Sequence, residues 1–147
     1  MDKNKIYLAQ TDTTVGFLSS DNIKLSQIKK RTSDQKILQV VDGFDTLKQN
    51  IRVPNKYKNL VRKSKFTTFI YPSGESFRVV CDDFNHYQFV NKFKILYSTS
   101  ANQTAQAFSF DYASDKADIL VFQKENFYET KGSKIFKISN LKLTKIR

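Results

Sequence analysis

Apolar residues come in short bursts along this chain, each bounded by charge or by turn-forming residues. The first, Ile6-Tyr7-Leu8-Ala9, has the length and continuity of a buried strand and runs into the polar turn Gln10-Thr11-Asp12-Thr13-Thr14, with Gly16 beyond. Asp21 or Asn22 then caps a helix that carries Ile23, Leu25 and Ile28 inward and ends in the cluster Lys29-Lys30-Arg31. Cations in a last helical turn are favoured by the helix dipole alone, so the cluster has a purely structural explanation as well as a functional one. Lys36 to Val41 predicts a second strand, closed by Asp42-Gly43, and Pro54 opens a helix-like stretch with Tyr57, Leu60 and Val61 on one face.

From Phe66 the pattern turns to strands. Phe66 to Tyr71 and Ser76 to Val80 flank a Pro72-Ser73-Gly74 turn, which predicts an antiparallel pair. Asp82 or Asp83 starts a helix with Phe84, Val90 and Phe93 on its apolar side. Lys94 to Ser98 is a strand that leads into Thr99-Ser100-Ala101-Asn102. A helix of undefined extent and the strand Ile119 to Phe122 follow. The tail, Ile135 to Ile138 and Leu141 to Ile146, alternates like two paired strands. Strands and helices interleave while hairpins intrude, so the expected class is α/β with α+β character. That means a twisted, mixed parallel and antiparallel sheet flanked by helices.

With 147 residues the chain is the size of one domain, and 39% hydrophobic against 27% charged content marks it as globular. No apolar run approaches a membrane span, and Met1 to Lys5 is polar, without a secretory hydrophobic segment. The single cysteine, Cys81, cannot form an internal disulfide, and a cytoplasmic location is the expectation. Charge changes the picture more. Lysine and arginine number 25 against 14 acids, a net +11, and no acid lies between Asp45 and Glu75. Such a field favours an anionic partner, nucleotide phosphates or RNA, although a lysine-rich face also serves solubility alone.

Standard catalytic sets are missing. His86 stands alone, with no partner spacing for a metal or a triad, and reads as structural. Cys81 reads as a small core residue and Asp82-Asp83 as a helix cap. There is no phosphate-loop, dinucleotide or zinc motif, and no metal ligand set is assigned. Three polar words remain, each where a strand or helix ends: Thr11-Asp12-Thr13 with Gly16, Lys29-Lys30-Arg31, and Ser98-Thr99-Ser100-Ala101-Asn102. In open α/β sheets ligands gather beyond strand ends, where loops aim donors without breaking the core.

In this order the words resemble those of the YrdC-like family, the threonylcarbamoyl-adenylate synthases. Gln10 to Gly16 is similar to its Pro-Thr-Asp/Glu-Thr-Val-Tyr-Gly stretch, and Lys29-Lys30-Arg31-Thr32 to its Lys-x-Arg-Pro motif. Thr68 matches a strand threonine, Phe77-Arg78-Val79 a Val-Arg-Val strand, and Ser98 to Asn102 the Ser-Thr-Ser-Ala-Asn loop residue for residue. Ala117-Asp118-Ile119-Leu120 resembles Ala-Asp-Leu-Ile, Gly132-Ser133-Lys134-Ile135 resembles Pro-Ser-Thr-Ile, and Ile146-Arg147 a final Leu-Arg. Departures are Thr32 for proline, no Pro-Gly-Pro before Thr68, no His-Pro after Arg78, and Gln103-Thr104-Ala105 after Asn102. The chain is shorter than usual for that family, a diverged member spanning residues 1–147 as one YrdC-like domain.

The resemblance implies a nucleotidyltransferase that joins L-threonine and bicarbonate and transfers the product to the α-phosphate of ATP, releasing pyrophosphate. The adenylate then serves tRNA N6-threonylcarbamoyladenosine formation through partner proteins that consume it. No covalent nucleophile is needed, which agrees with the poverty of histidine and cysteine, and Mg²⁺ is the expected companion of ATP. By the same resemblance Lys29, Arg31, Thr68, Ser98, Ser100, Asn102 and Arg147 face ATP and its phosphates, while Thr11, Thr13, Arg78 and Ser133 face threonine. On a regular helix Lys29 and Arg31 would point about 200° apart, so convergence on one triphosphate requires the helix to end near Lys30. A non-catalytic RNA-binding module of the same fold, with weak salt-sensitive binding, is the alternative.

Overall fold

A computed structural model describes residues 1–32, 34–83 and 85–147. Phe84, expected on the apolar side of a helix, and Ser33 lie outside the described residues. Among the described residues nine strands form one mixed sheet: β1 (Tyr7–Gln10), β2 (Val15–Ser19), β3 (Gln39–Val41), β4 (Thr67–Ile70), β5 (Ser76–Val79), β6 (Ile95–Ser100), β7 (Ile119–Val121), β8 (Lys134–Ile138) and β9 (Leu143–Lys145). Their order across the sheet is β7-β1-β2-β6-β3-β5-β4-β8-β9. Pairs β1/β7, β3/β5 and β4/β8 are parallel, and the other five are antiparallel. The helices are α1 (Asn22–Ile28), α2 (Phe44–Asn50), α3 (Lys58–Lys63), α4 (Asn85–Phe93) and α5 (Phe110–Lys116), with a 3₁₀ turn at Asn55–Tyr57 before α3. This is the expected mixed sheet flanked by helices.

Alternation along β1 shows how the two faces are filled. Leu8 packs with Phe17, Leu25 and Ala113 in the cluster under α1 and α5, whereas Tyr7 and Ala9 pack with Leu18, Val40, Phe89 and Val90 under α4. A third cluster, with Val41, Leu47, Val61, Phe69 and Phe77 at its centre, lies under α2 and α3. Because both its faces are covered, β1 is apolar from Tyr7 to Ala9, and it was legible for that reason. None of the described helices is long and apolar enough to cross a membrane.

Several details differ from the expectation. Val15 to Ser19 is a buried strand, β2, which Gly16 and Ser19 disguise. Glycine fits closely at position 16, since a Cβ there would lie 3.1 Å from both Thr11 Cγ2 and the Thr99 carbonyl oxygen and would press on them. Phe44–Asn50 forms α2, which the sequence reading left unassigned, with Leu47 as its buried residue. Asp21 does cap α1 by accepting from the Ile23 and Lys24 amides, but Ile23 is exposed and only Leu25 of that helix is buried. Leu60 likewise faces out while Val61 packs inward. Ser100, expected in a loop, is the last residue of β6.

The end of α1 decides where the cationic cluster points. Lys30 adopts a left-handed backbone (φ 52), and the Lys30 and Arg31 amides donate to the Gln27 and Ser26 carbonyls at 3.1 and 2.9 Å. This is a Schellman termination with lysine where glycine is usual. The helix thus breaks at Lys30, as convergence of the flanking cations would require. A lysine Cβ in this conformation is strained, so Lys30→Gly should raise unfolding free energy by about 1 kcal/mol, measured by urea titration. A neutral or destabilising Lys30→Gly would contradict the left-handed assignment.

Candidate functional site

The turn between β1 and β2 is built by Thr11. Its hydroxyl accepts from the Thr13 and Thr14 amides at 3.1 Å each and donates to the Thr14 carbonyl, closing the turn from inside. The turn holds Asp12 with its side chain only 2% exposed, where it accepts from Arg78 Nη2 at 3.0 Å. Arg78 belongs to β5 and its side chain is 4% exposed, so this is a buried ion pair between distant parts of the chain.

Around that pair a cavity of about 290 Å³ opens across the sheet. Ser98 and Ser100, two apart on β6, bring their side chains to one face of it, with Thr13 and Arg31 alongside. The opposite wall is made by Thr68, whose hydroxyl lies 2.8 Å from that of Ser133. Arg147 completes this wall. Its Nε donates to the Ser133 carbonyl at 3.0 Å, and its backbone pairs with Ile135 at the start of β8. Arg147 also lies over Gly132, where a Cβ would come within 2.9 Å of Nη2. Leu38, Ile70 and Ile135 supply apolar lining.

Of the residues predicted to bind ligands, Thr11, Thr13, Arg31, Thr68, Arg78, Ser98, Ser100, Ser133 and Arg147 all line this cavity. Lys29 and Asn102 do not. The Lys29 ammonium is turned into the loop after β6, donating to the Ser100 carbonyl at 3.0 Å, to the Asn102 carbonyl, and to Asn102 Oδ1 at 3.4 Å. Burial, with Arg31 nearby adding repulsion, pushes the Lys29 ammonium down to about 8. Asn102 in turn donates from Nδ2 to the Gln106 carbonyl at 2.8 Å. These two residues therefore fix the loop that ends β6, and Arg31 is the member of the cluster that faces the cavity. Lys29 also lines a second opening with Lys30, Arg31, Gln103, Tyr112 and Lys116, so Arg31 stands between two cavities.

Sequence reasoning missed the structural part of the Thr-Asp-Thr word. Asp12 is the buried counter-charge of Arg78, and Gly132 is the seat of Arg147. No spacing announces either, because the partners stand 66 and 15 positions apart.

The chemistry available is clear from this inventory. Hydroxyls of Thr13, Ser98, Ser100 and Ser133 offer both donors and acceptors, and three guanidinium groups supply positive charge in a partly dry site. Among the described residues no cysteine or histidine lines the cavity, and the Asp12 carboxylate beside it is held by Arg78. Such a set of donors and cations is suited to orienting an anion and neutralising its charge. Among the described residues the one cluster of metal-ligating type, Cys81, Asp82 and Asp83, does not line the cavity.

Solved structures share this architecture. E. coli YciO superposes with a TM-score of 0.76 at 12% identity, over 99% of this chain and 83% of that one. P. abyssi Sua5 complexed with L-threonine gives 0.75 at 13% identity, over 97% of this chain and 50% of that one. The MTH1692 protein of Methanobacterium thermoautotrophicum gives 0.71 at 16% identity, over 97% and 79%. The chain thus spans about half the length of Sua5 and most of the other two. No protein-family model and no curated protein matches the sequence. The neighbours are Sua5/YrdC-family proteins, and the fold of this chain is YrdC-like.

Proposed function

We propose that the chain is a threonylcarbamoyl-adenylate synthase, forming L-threonylcarbamoyladenylate and pyrophosphate from L-threonine, bicarbonate and ATP. The observation that carries this reading is the convergence of the Thr-Asp-Thr turn, Arg31, Thr68, the β6 serines, Ser133 and Arg147 on one cavity. These residues come from across the sequence, from the short polar motifs quoted above. The threonine complex of P. abyssi Sua5, a fold neighbour, adds support for a small amino acid as one ligand.

The parts divide by chemistry. Arg78 is anchored by Asp12 through Nη2, while its Nε is buried with no partner among the described residues. An incoming threonine carboxylate would pair with the guanidinium where it lines the cavity, with Thr13 and Ser133 as neighbours for the remaining polar groups. Arg31 and Arg147 face the polyphosphate, their planar forks suited to two-point contact with its oxygens. Ser98 and Ser100 donate to the adenylate from a strand end that Lys29 and Asn102 hold in place, and Thr68 supports Ser133. Mg²⁺ would arrive on the triphosphate, with cavity hydroxyls and water as its oxygen ligands, and would neutralise charge as pyrophosphate leaves.

Purified protein is expected to release pyrophosphate from ATP only when threonine and bicarbonate are both present, read with a coupled phosphate assay across the amino acids. Release indifferent to the amino acid would remove threonine from the proposal, and no release under any condition would remove the enzyme. Arg31→Lys should lower turnover by about 1.5–3 kcal/mol in activation free energy, because a fork becomes a point charge. Lys30→Ala, beside it but with its backbone turned away in the left-handed region, serves as the control and should turn over like the parent. Equal damage from both would reduce the cluster to a solvated basic surface.

A further inference from the structure

The strand order leaves two outer edges, β7 at one end of the sheet and β9 at the other. They are built differently. β9 is preceded by Lys142 and ends in Lys145, and lysines on an edge keep other chains from pairing with it. β7 is Ile119-Leu120-Val121, followed by Phe122, with no charge in it. On one side it pairs in parallel with β1, and among the described residues no strand pairs with the other. The Ile119 amide donates inward, to the Ile6 carbonyl at 3.1 Å, so by alternation the Leu120 amide faces the open side. Apolar surface continues past the strand. Phe122 is 72% exposed, Phe110 45% and Ile119 39%. Phe127 joins the two outer rings, its centroid 5.8 Å from that of Phe122 and 6.1 Å from that of Phe110. An unguarded edge beside exposed aromatics is where an extended segment adds as a strand.

Charge decides what kind of segment fits. Residues 108–129 carry five exposed acids, Asp111, Asp115, Asp118, Glu125 and Glu129, against two lysines, a net −3. The rest of the chain holds 23 cations against nine acids, or +14. β7 thus lies in an acidic stretch of a strongly basic molecule. Those carboxylates repel a nucleic acid. A second copy would bring −3 against −3 through this edge, and the two basic remainders would add to the repulsion. A cationic segment is attracted to the patch and turned away from the rest of the surface. Asp111 and Asp115, both exposed, stand one turn apart on the same face of α5. We infer that the outer edge of β7 docks a lysine- or arginine-bearing extended segment of a partner protein, added to the sheet as a further strand. Its backbone pairs with Leu120, its apolar side chains cover Phe110 and Phe122, and its cations face the acids. None of these residues lines the cavity of Thr13 and Arg31, so the docking does not depend on the adenylate chemistry proposed above.

Three labelled decapeptides test this by fluorescence anisotropy, one alternating lysine with valine, one lysine with proline and one glutamate with valine. The lysine–valine peptide should bind roughly tenfold tighter than either other, since it alone combines the charge with a backbone that can join a sheet. In the complex, the Leu120 amide should exchange its hydrogen roughly tenfold more slowly than in the free protein, read by NMR. Phe122→Lys, at a position 72% exposed, should weaken the lysine–valine peptide several-fold with an unchanged melting temperature. Asp115→Lys combined with Glu125→Lys, which leaves the strand itself untouched, should do the same. Equal binding of the lysine–proline peptide, or a Leu120 amide that exchanges as fast in the complex as before, would overturn strand addition. Equal binding of the glutamate–valine peptide, or affinity that survives the two charge reversals, would overturn the cationic partner. Sedimentation of a dimer that Phe122→Lys dissolves would give the edge to a second copy, and no lysine–valine binding at about 1 mM would remove the site altogether.

Discussion

Asp12→Ala is expected to destabilise the protein by about 3–5 kcal/mol, the cost of leaving a buried charge without its partner. Arg78 has a side chain only 4% exposed and a single ion-pair contact, Nη2 to Asp12 Oδ1 at 3.0 Å. Its Nε is already unpaired among the described residues, so after the substitution the guanidinium would have no carboxylate there to offset its charge. Equilibrium urea unfolding reads the effect directly. Replacing both members together, Asp12→Leu with Arg78→Met, should recover most of the loss, because well-packed apolar pairs often match buried ion pairs in stability. The double variant should nonetheless bind no threonine, since the anchor for its carboxylate is gone. A cost for Asp12→Ala below about 1 kcal/mol, the level of an exposed pair, would show that water reaches the charge.

Acid should find a second weak point at His86. Its imidazole is pushed from the ordinary 6.5 down to about 4, first by burial and then by Arg78, with Asp12 acting in the opposite direction. Unfolded, the ring takes its proton near 6.5. Folded, it resists until about 4. Between those limits the unfolded chain binds more protons, so stability is intact above 6.5 and falls as pH drops toward 4. The full loss amounts to roughly 3 kcal/mol at 1.36 kcal/mol per unit. Urea midpoints collected from pH 7 to 4 should trace this decline, and His86→Leu should flatten it. A parent protein with constant stability across that window would mean that the histidine is not buried in solution.

Which parts of this structure were readable from sequence follows from what each part depends on. β1 stood out because both its faces are buried, and the tail hairpin of β8 and β9 because its residues alternate. The Asp21 cap is local chemistry and was found, while β2 was hidden by the glycine that packs closely against its neighbours. The inward assignment of Ile23 and Leu60 failed because periodicity tells which residues share a face, not how wide the buried stripe is. For the site, the short words located most of the cavity lining, since donors at strand ends are sequence-local features. They were silent on direction. Lys29 and Arg31 belong to one motif, yet the left-handed Lys30 sends one into a loop and the other into the cavity. The Asp12–Arg78 pair and the orphaned atoms of His86 and Gln10 depend on chain packing across distant positions, and no pattern within a window contains them.

The parallel pairing of β4 with β8 has a kinetic meaning. Thr67 aligns with Lys134 and Ile70 with Lys137, so β4 and β5 can form their hairpin early but must wait for the last strands to cover their outer edge. Contacts closed over such long loops form slowly, and an uncovered edge is a template for pairing with another chain. The part of the chain up to Ser100 could already hold Thr13, Arg31, Ser98 and Ser100, but the Ser133 and Arg147 wall waits for the later residues. The cavity is therefore incomplete until β8 and β9 have docked. Ligand competence becomes a report that the carboxyl-terminal hairpin has docked and that the aggregation-prone edge of β4 has been sealed.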